Sequence, residues 1–97
     1  IESLRLYIEN RLLDLISKVL GRQGNEISFS YLVEAGCIDE EKMLLLVSLY
    51  LAMNDYLDEA EELIESGEDE EEVIDLVVKA LGNFLFIEQE IAKCLNR

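Results

Sequence analysis

The run Met43-Leu44-Leu45-Leu46-Val47-Ser48-Leu49-Tyr50-Leu51-Ala52-Met53 restricts what this chain can become. Wound as a helix it is apolar on more than one face, and such a helix needs cover on more than one side. A chain of 97 residues can build one modest core. Part of the cover is therefore expected from a second subunit. Met43, Leu46, Val47, Tyr50 and Met53 are the expected dimer interface; the competing reading is an internal helix packed within a monomer.

The rest of the chain repeats the helical signal. Leu4, Ile8, Leu12, Leu15, Ile16 and Val19 recur at three- and four-residue steps, which predicts an amphipathic helix over 1–20 stopped by Gly21. Residues 21–25 read as a loop. Ser28 is expected to cap a short helix, Phe29 to Ala35, ended by Gly36. Asp39, with Glu40 and Glu41 behind it, is a helix start. Its side chain can accept from backbone N–H groups, and the acids suit the positive dipole end. That third helix is expected to run to about Ser66, with Leu57, Ala60, Leu63 and Ile64 as the stripe of its second half, and to stop at Gly67.

Glu68-Asp69-Glu70-Glu71-Glu72 opens the last helix, which is expected to reach about Leu95. Val73, Ile74, Val77, Ala80, Leu81, Phe84, Phe86, Ile87, Ile91 and Leu95 give it a broad apolar face. Gly82 inside it costs about 1 kcal/mol relative to Ala and suggests close approach of another helix. No stretch alternates with period two, so no strand is predicted. The fold class is all-α: one domain over 1–97, an antiparallel bundle of three long helices and one short one.

Composition removes several functions. Histidine is absent, which excludes His-based triads, His zinc ligands and histidine acids. The formal charge of −14 disfavours generic binding to nucleic acid or anionic lipid. Every apolar run is broken by charge well before ~18 residues, so no signal peptide or membrane span is expected. The chain opens on Ile1 and not on Met, which leaves room for residues upstream. Cys37 and Cys94 are too few for a structural zinc. They read as semi-buried thiols of a reduced, cytoplasmic protein, with a disulfide as the minority alternative.

Ten of the fifteen residues 58–72 are acidic and none is basic. The spacing does not fit a calcium loop of the EF-hand type. A bridged di-metal bundle would need Glu-x-x-His, which cannot occur here. No metal or cofactor is expected. Glu68, Asp69, Glu70, Glu71 and Glu72 form an acidic patch, read as a solvated face, with a basic protein partner or nucleic-acid mimicry as alternatives. The carboxylate pairs Glu9 with Asp14 and Glu34 with Asp39 are better explained as helix surface and caps than as acid/base pairs.

Residues 4–56 together resemble the HEPN superfamily, in particular the HepT-like branch of small helical partners of minimal nucleotidyltransferases. Leu6, Ile8, Glu9, Leu13, Asp14, Leu15 and Ile16 match that branch's first helix. Phe29, Leu32, Glu34, Ala35, Gly36 and Ile38 match its short second helix, and Asp39 and Glu40 the acidic start of the third. Tyr56 matches the Tyr that closes the family's Arg-Asn-x-x-x-His-x-Tyr motif. Asn54 then stands where the His belongs and Leu49 where the Arg belongs. Asn cannot transfer a proton near neutral pH, and Leu cannot hold a phosphate. The family's usual leading helix is either absent or lies upstream of Ile1. The resemblance implies a non-catalytic, dimeric domain partnered with a nucleotidyltransferase in a toxin–antitoxin type system. It makes Tyr56 the position that such a partner would adenylylate. A degenerate ribonuclease is the remaining alternative.

Overall fold

A computed structural model describes residues 1–97 and contains helices only: α1 (Glu2–Leu20), α2 (Ser30–Glu34), α3 (Glu40–Glu65) and α4 (Glu70–Leu95). The punctuation is local chemistry. Gly21, Gly36 and Gly67 each adopt a left-handed φ, near +70°, just past a helix end. A residue with a Cβ resists that conformation. The Asp39 carboxylate accepts from the Lys42 amide at 2.8 Å, and Asp69 accepts from the Glu71 amide at 3.0 Å. The expected cap at Ser28 does not form. α2 starts one residue beyond Phe29, and the Ser28 hydroxyl pairs with that of Ser30, so no side chain caps this helix.

Side-chain partners give the helix directions. Lys42 meets Glu90, the Leu49 carbonyl accepts from Asn83, and the Lys79 ammonium lies over Tyr56. Partner numbers fall as α3 numbers rise, so α3 and α4 run in opposite directions. Arg5 reaches Asn54 and Asp58 on α3, while Tyr7 and Arg11 meet Phe84 and Glu88 on α4. α1 therefore lies over the α3–α4 pair, and α2 closes one end.

One core serves all four helices. Ile8, Leu12, Leu15 and Ile16 of α1 pack with Leu46, Met53 and Leu57 of α3 and with Ala80, Phe84, Ile87 and Ile91 of α4. Phe29 and Leu32 seal it from the α2 side. The stripe predicted on α1 supplies its buried residues, Ile8, Leu12, Leu15 and Ile16.

The cysteines are paired. Cys37, after α2, forms a disulfide with Cys94 in the last turn of α4, with Cα atoms 5.5 Å apart. That separation is ordinary for a disulfide. This corrects the expectation of two free thiols: the packing of α2 against the C-terminal end of α4 adjoins residues 57 positions apart. Beside the bridge, Arg97 donates to the carbonyls of Gly36 and Ala35 at 2.8 and 3.1 Å, filling the C-terminal end of α2.

Glu90 is the one buried ionic side chain. Its carboxylate accepts from Lys42 at 2.7 Å and from Lys93 at 2.6 Å. The hydrogen bond from Lys42, then that from Lys93, holds its pKa below the usual carboxylate range, against the opposing effect of burial.

Two outcomes follow for stability. Closing a loop of this length restricts the unfolded chain by about 4 kcal/mol in the chain-entropy account. Reduction should therefore lower the calorimetric Tm by more than ~10 °C. Cys94→Ser should have the lower Tm in any buffer and should not respond to reductant. Glu90 is depressed in the folded state, so its contribution is present above the unfolded carboxyl pKa and is lost as pH falls through the folded value. Glu90→Gln should cost about 1–2 kcal/mol in urea titrations at pH 7, with the exposed Lys93 contributing the lesser part. The difference from wild type should shrink steadily below pH ~4.

Candidate interaction face and the motif positions

The apolar run of α3 resolves into two populations. Leu46 and Met53 are fully buried in the core, and Met43, Val47 and Tyr50 are half-buried against it. The expected interface set is thus largely intramolecular. Leu46 and Met53 face α1 and α4, so a second subunit has no access to them. The side chains left over are Leu44, Leu45 and Leu51, at 60%, 42% and 59% exposure.

α4 repeats this division. Leu76, Ala80, Phe84, Ile87 and Ile91 are buried, while Ile74, Val78, Leu85 and Phe86 remain exposed. Ile74, Phe86 and Leu95 were expected within the apolar face that packs; all three are exposed. Gly82 lies among the outward residues. A Cβ built on it meets nothing within 4 Å, so no helix of this chain makes the close approach expected there.

The two exposed sets lie on different edges of the pair: Leu44 and Leu51 on the side of α3 turned away from Leu49 and Tyr56, which meet α4, and Ile74, Val78 and Leu85 on the side of α4 turned away from Lys79 and Asn83, which meet α3. Positions 44, 48 and 51 on α3, and 74, 78, 82 and 85 on α4, follow helical spacing on the side opposite each helix's buried stripe. α1 covers one side of the α3–α4 pair, and the opposite side is open. The middle of each helix is uncharged: no Asp, Glu, Lys or Arg occurs between Lys42 and Asp55, or between Lys79 and Glu88. Leu49 sits level with Asn83, so the two uncharged segments lie side by side.

The motif positions do not converge. Asn54 accepts from Arg5 at 3.3 Å and so faces α1. The Leu49 carbonyl accepts from Asn83 on α4, and Tyr56 lies under Lys79, also on α4. Two positions therefore meet one neighbour and the third meets another. In the sequence Tyr56 is flanked by Asp55 and Asp58, with no basic residue between Lys42 and Lys79. The fold supplies one: the Lys79 ammonium is 6.0 Å from the ring centroid, although Asp75 engages it at 3.1 Å. Tyr50, on the α1 side near Asn54, has its phenol pKa pushed up by burial, an effect partly offset by Asn54.

The remaining acidic groups have local explanations. Asp14 pairs with Lys18 at 3.0 Å, Asp39 caps α3, and Glu68, Asp69, Glu70, Glu71 and Glu72 are exposed around the α3–α4 turn. A shallow depression of ≈ 320 Å³ is lined by Lys42, Glu90, Lys93 and Arg97, but each of its cations is already engaged by Glu90 or by the α2 carbonyls. No helix is long and apolar enough to cross a membrane. Comparison with protein-family models, curated proteins and solved structures finds no match for this chain.

The two populations on α3 should separate by mutation. Leu46→Glu puts an unpaired charge in the core and should cost more than ~4 kcal/mol, unfolding the chain at room temperature by circular dichroism. Leu51→Glu should change the stability of the isolated fold by less than ~0.5 kcal/mol.

Proposed function

We propose that this chain is a helical interaction protein with no chemistry of its own: a HEPN-like antiparallel bundle acting as the dimeric partner of a nucleotidyltransferase in a toxin–antitoxin type system. The apolar side chains that α3 and α4 leave exposed carry this reading. Seven large side chains, Leu44, Leu45, Leu51, Ile74, Val78, Leu85 and Phe86, are more than a third exposed along the outer sides of the two helices.

The motif substitutions weigh against nuclease activity, since neither Leu49 nor Asn54 can replace the acid/base and phosphate-holding pair that they displace. Tyr56 remains the residue for a partner to modify. It is half-buried, and Lys79 beside it is a cation that could meet a nucleotide phosphate once released from Asp75. A cytoplasmic location stays within this reading where the source is a hyperthermophile, whose intracellular proteins retain disulfides. A second reading, an acidic mimic that blocks a nucleic-acid-binding protein, is favoured by the exposed acids of residues 58–72.

Native mass spectrometry of the tagged chain recovered from its own host tests the first reading. The expected result is a complex that contains a nucleotidyltransferase polypeptide, or an adenylyl-sized mass on the Tyr56 peptide. A bare chain with Tyr56 unmodified would contradict it. Neutralising Glu68 to Glu72 should leave that complex intact, whereas mimicry requires the loss of binding.

A further inference from the structure

We infer that the Cys37–Cys94 disulfide is an exchange site for a small anionic thiol, which enters the depression beside it and forms a mixed disulfide at Cys37. This goes beyond the interaction-protein reading and does not rest on it.

Access comes first. Both cysteines line the depression of ≈ 320 Å³, together with Asp39, Lys42, Glu90, Lys93 and Arg97. Cys94 is buried, at 7% exposure, while Cys37 is half-buried. Cys37 is therefore the sulfur that a small molecule reaches more readily, and exchange proceeds by attack of a thiolate on a reachable sulfur.

Charge then selects the thiol. The chain carries 22 acids against 8 cations, so a small anion is repelled over most of its surface. On the wall of this depression the balance reverses: Lys42, Lys93 and Arg97 face Glu90 and Asp39. Glu90 divides one charge between two lysines. Asp39 is committed to the amide at the start of α3. Arg97 donates only to neutral carbonyls, those of Gly36 and Ala35, so its charge is held beside the backbone that leads into Cys37 with no carboxylate to compensate it. The acidic run lies around the α3–α4 turn, at the other end of a molecule 45 Å long. That is well beyond the Debye length of ~10 Å at 0.1 M salt.

The exchange balances with the thiol as its only co-reactant. The incoming thiolate bonds to Cys37 Sγ, the bond between the two Sγ atoms breaks, and Cys94 leaves as a thiolate that takes a proton from water. Lys42 and Lys93, in the same depression, favour that leaving thiolate. A second thiolate attacks the sulfur of the mixed disulfide and releases Cys37. The two electrons come from the two small thiols, which end as their own disulfide. Exchange unties α2 from the end of α4 but does not touch Phe29 and Leu32, which hold α2 to the core.

The test compares rates of reduction of the native chain by 2-mercaptoethanesulfonate, 2-mercaptoethanol and cysteamine, which are anionic, neutral and cationic. Each rate is divided by that of the same thiol on an uncharged small disulfide, which removes differences in thiol reactivity. The formal charge of −14 on its own would favour cysteamine. The expected order at about 0.1 M salt is the reverse, with the sulfonate ahead of cysteamine by at least ~3-fold, and the gap should close near 1 M salt. Arg97→Gln/Lys93→Gln should restore the order that the overall charge favours, whereas Arg97→Lys should keep the sulfonate ahead. Peptide mapping after an acid quench should place the adduct on Cys37. A native chain that resists all three thiols, a wild type reduced fastest by cysteamine, or an adduct on Cys94 would each overturn the inference.

Discussion

The structure depends on how three long helices share one core. α1 brings a single apolar stripe, and that stripe can cover only one side of the α3–α4 pair. Leu46, Met53 and Leu57 of α3, with Ala80, Phe84, Ile87 and Ile91 of α4, use up that cover. The apolar residues on those helices that lie off this core, among them Leu44, Leu51, Ile74, Val78 and Leu85, face outward. The exposed apolar surface is therefore a consequence of the same sequence that builds the core: α3 and α4 carry more apolar surface than a chain of 97 residues can bury on itself.

Three local devices hold this arrangement in register. The caps at Asp39 and Asp69 fix where α3 and α4 begin, and left-handed glycines fix where the preceding elements end. The Lys42–Glu90–Lys93 cluster pins the start of α3 to the end of α4. The Cys37–Cys94 bridge and Arg97 then tie α2 to the same place. The last two of these devices thus gather at one end of the molecule. The other end is the acidic turn, where like charges oppose one another and the surrounding water and salt must screen them.

Much of the fold was legible in the sequence because its signals are local. Apolar spacing of three and four, Asp before an acidic pair, and Gly after a stripe each act within one or two turns. The four helices follow from them, with bounds within a residue or two. What was not legible depended on which side of a helix found a partner. The run 43–53 announces that cover is needed but not which residues the chain covers itself; Leu46 and Met53 look like Leu44 and Leu51 until α1 is in place. Ile74 and Phe86 were read as packed for the same reason. The disulfide was missed because cysteine spacing says little about proximity across 57 residues. The cation beside Tyr56 was missed because Lys79 arrives from another helix. Gly82, read as a place of close approach by another helix, faces open space instead.

The central claim is that the apolar side chains that α3 and α4 leave exposed bind a partner and are not merely exposed apolar area. Carbene footprinting of the purified chain across a hundredfold range of concentration measures this most directly, because it reads each side chain separately. The account predicts that labelling of Leu51, Val78, Leu85 and Phe86 falls as concentration rises, while that of Leu6 and Tyr7, exposed on α1, stays constant. Labelling of the α3–α4 residues that does not change with concentration would contradict it.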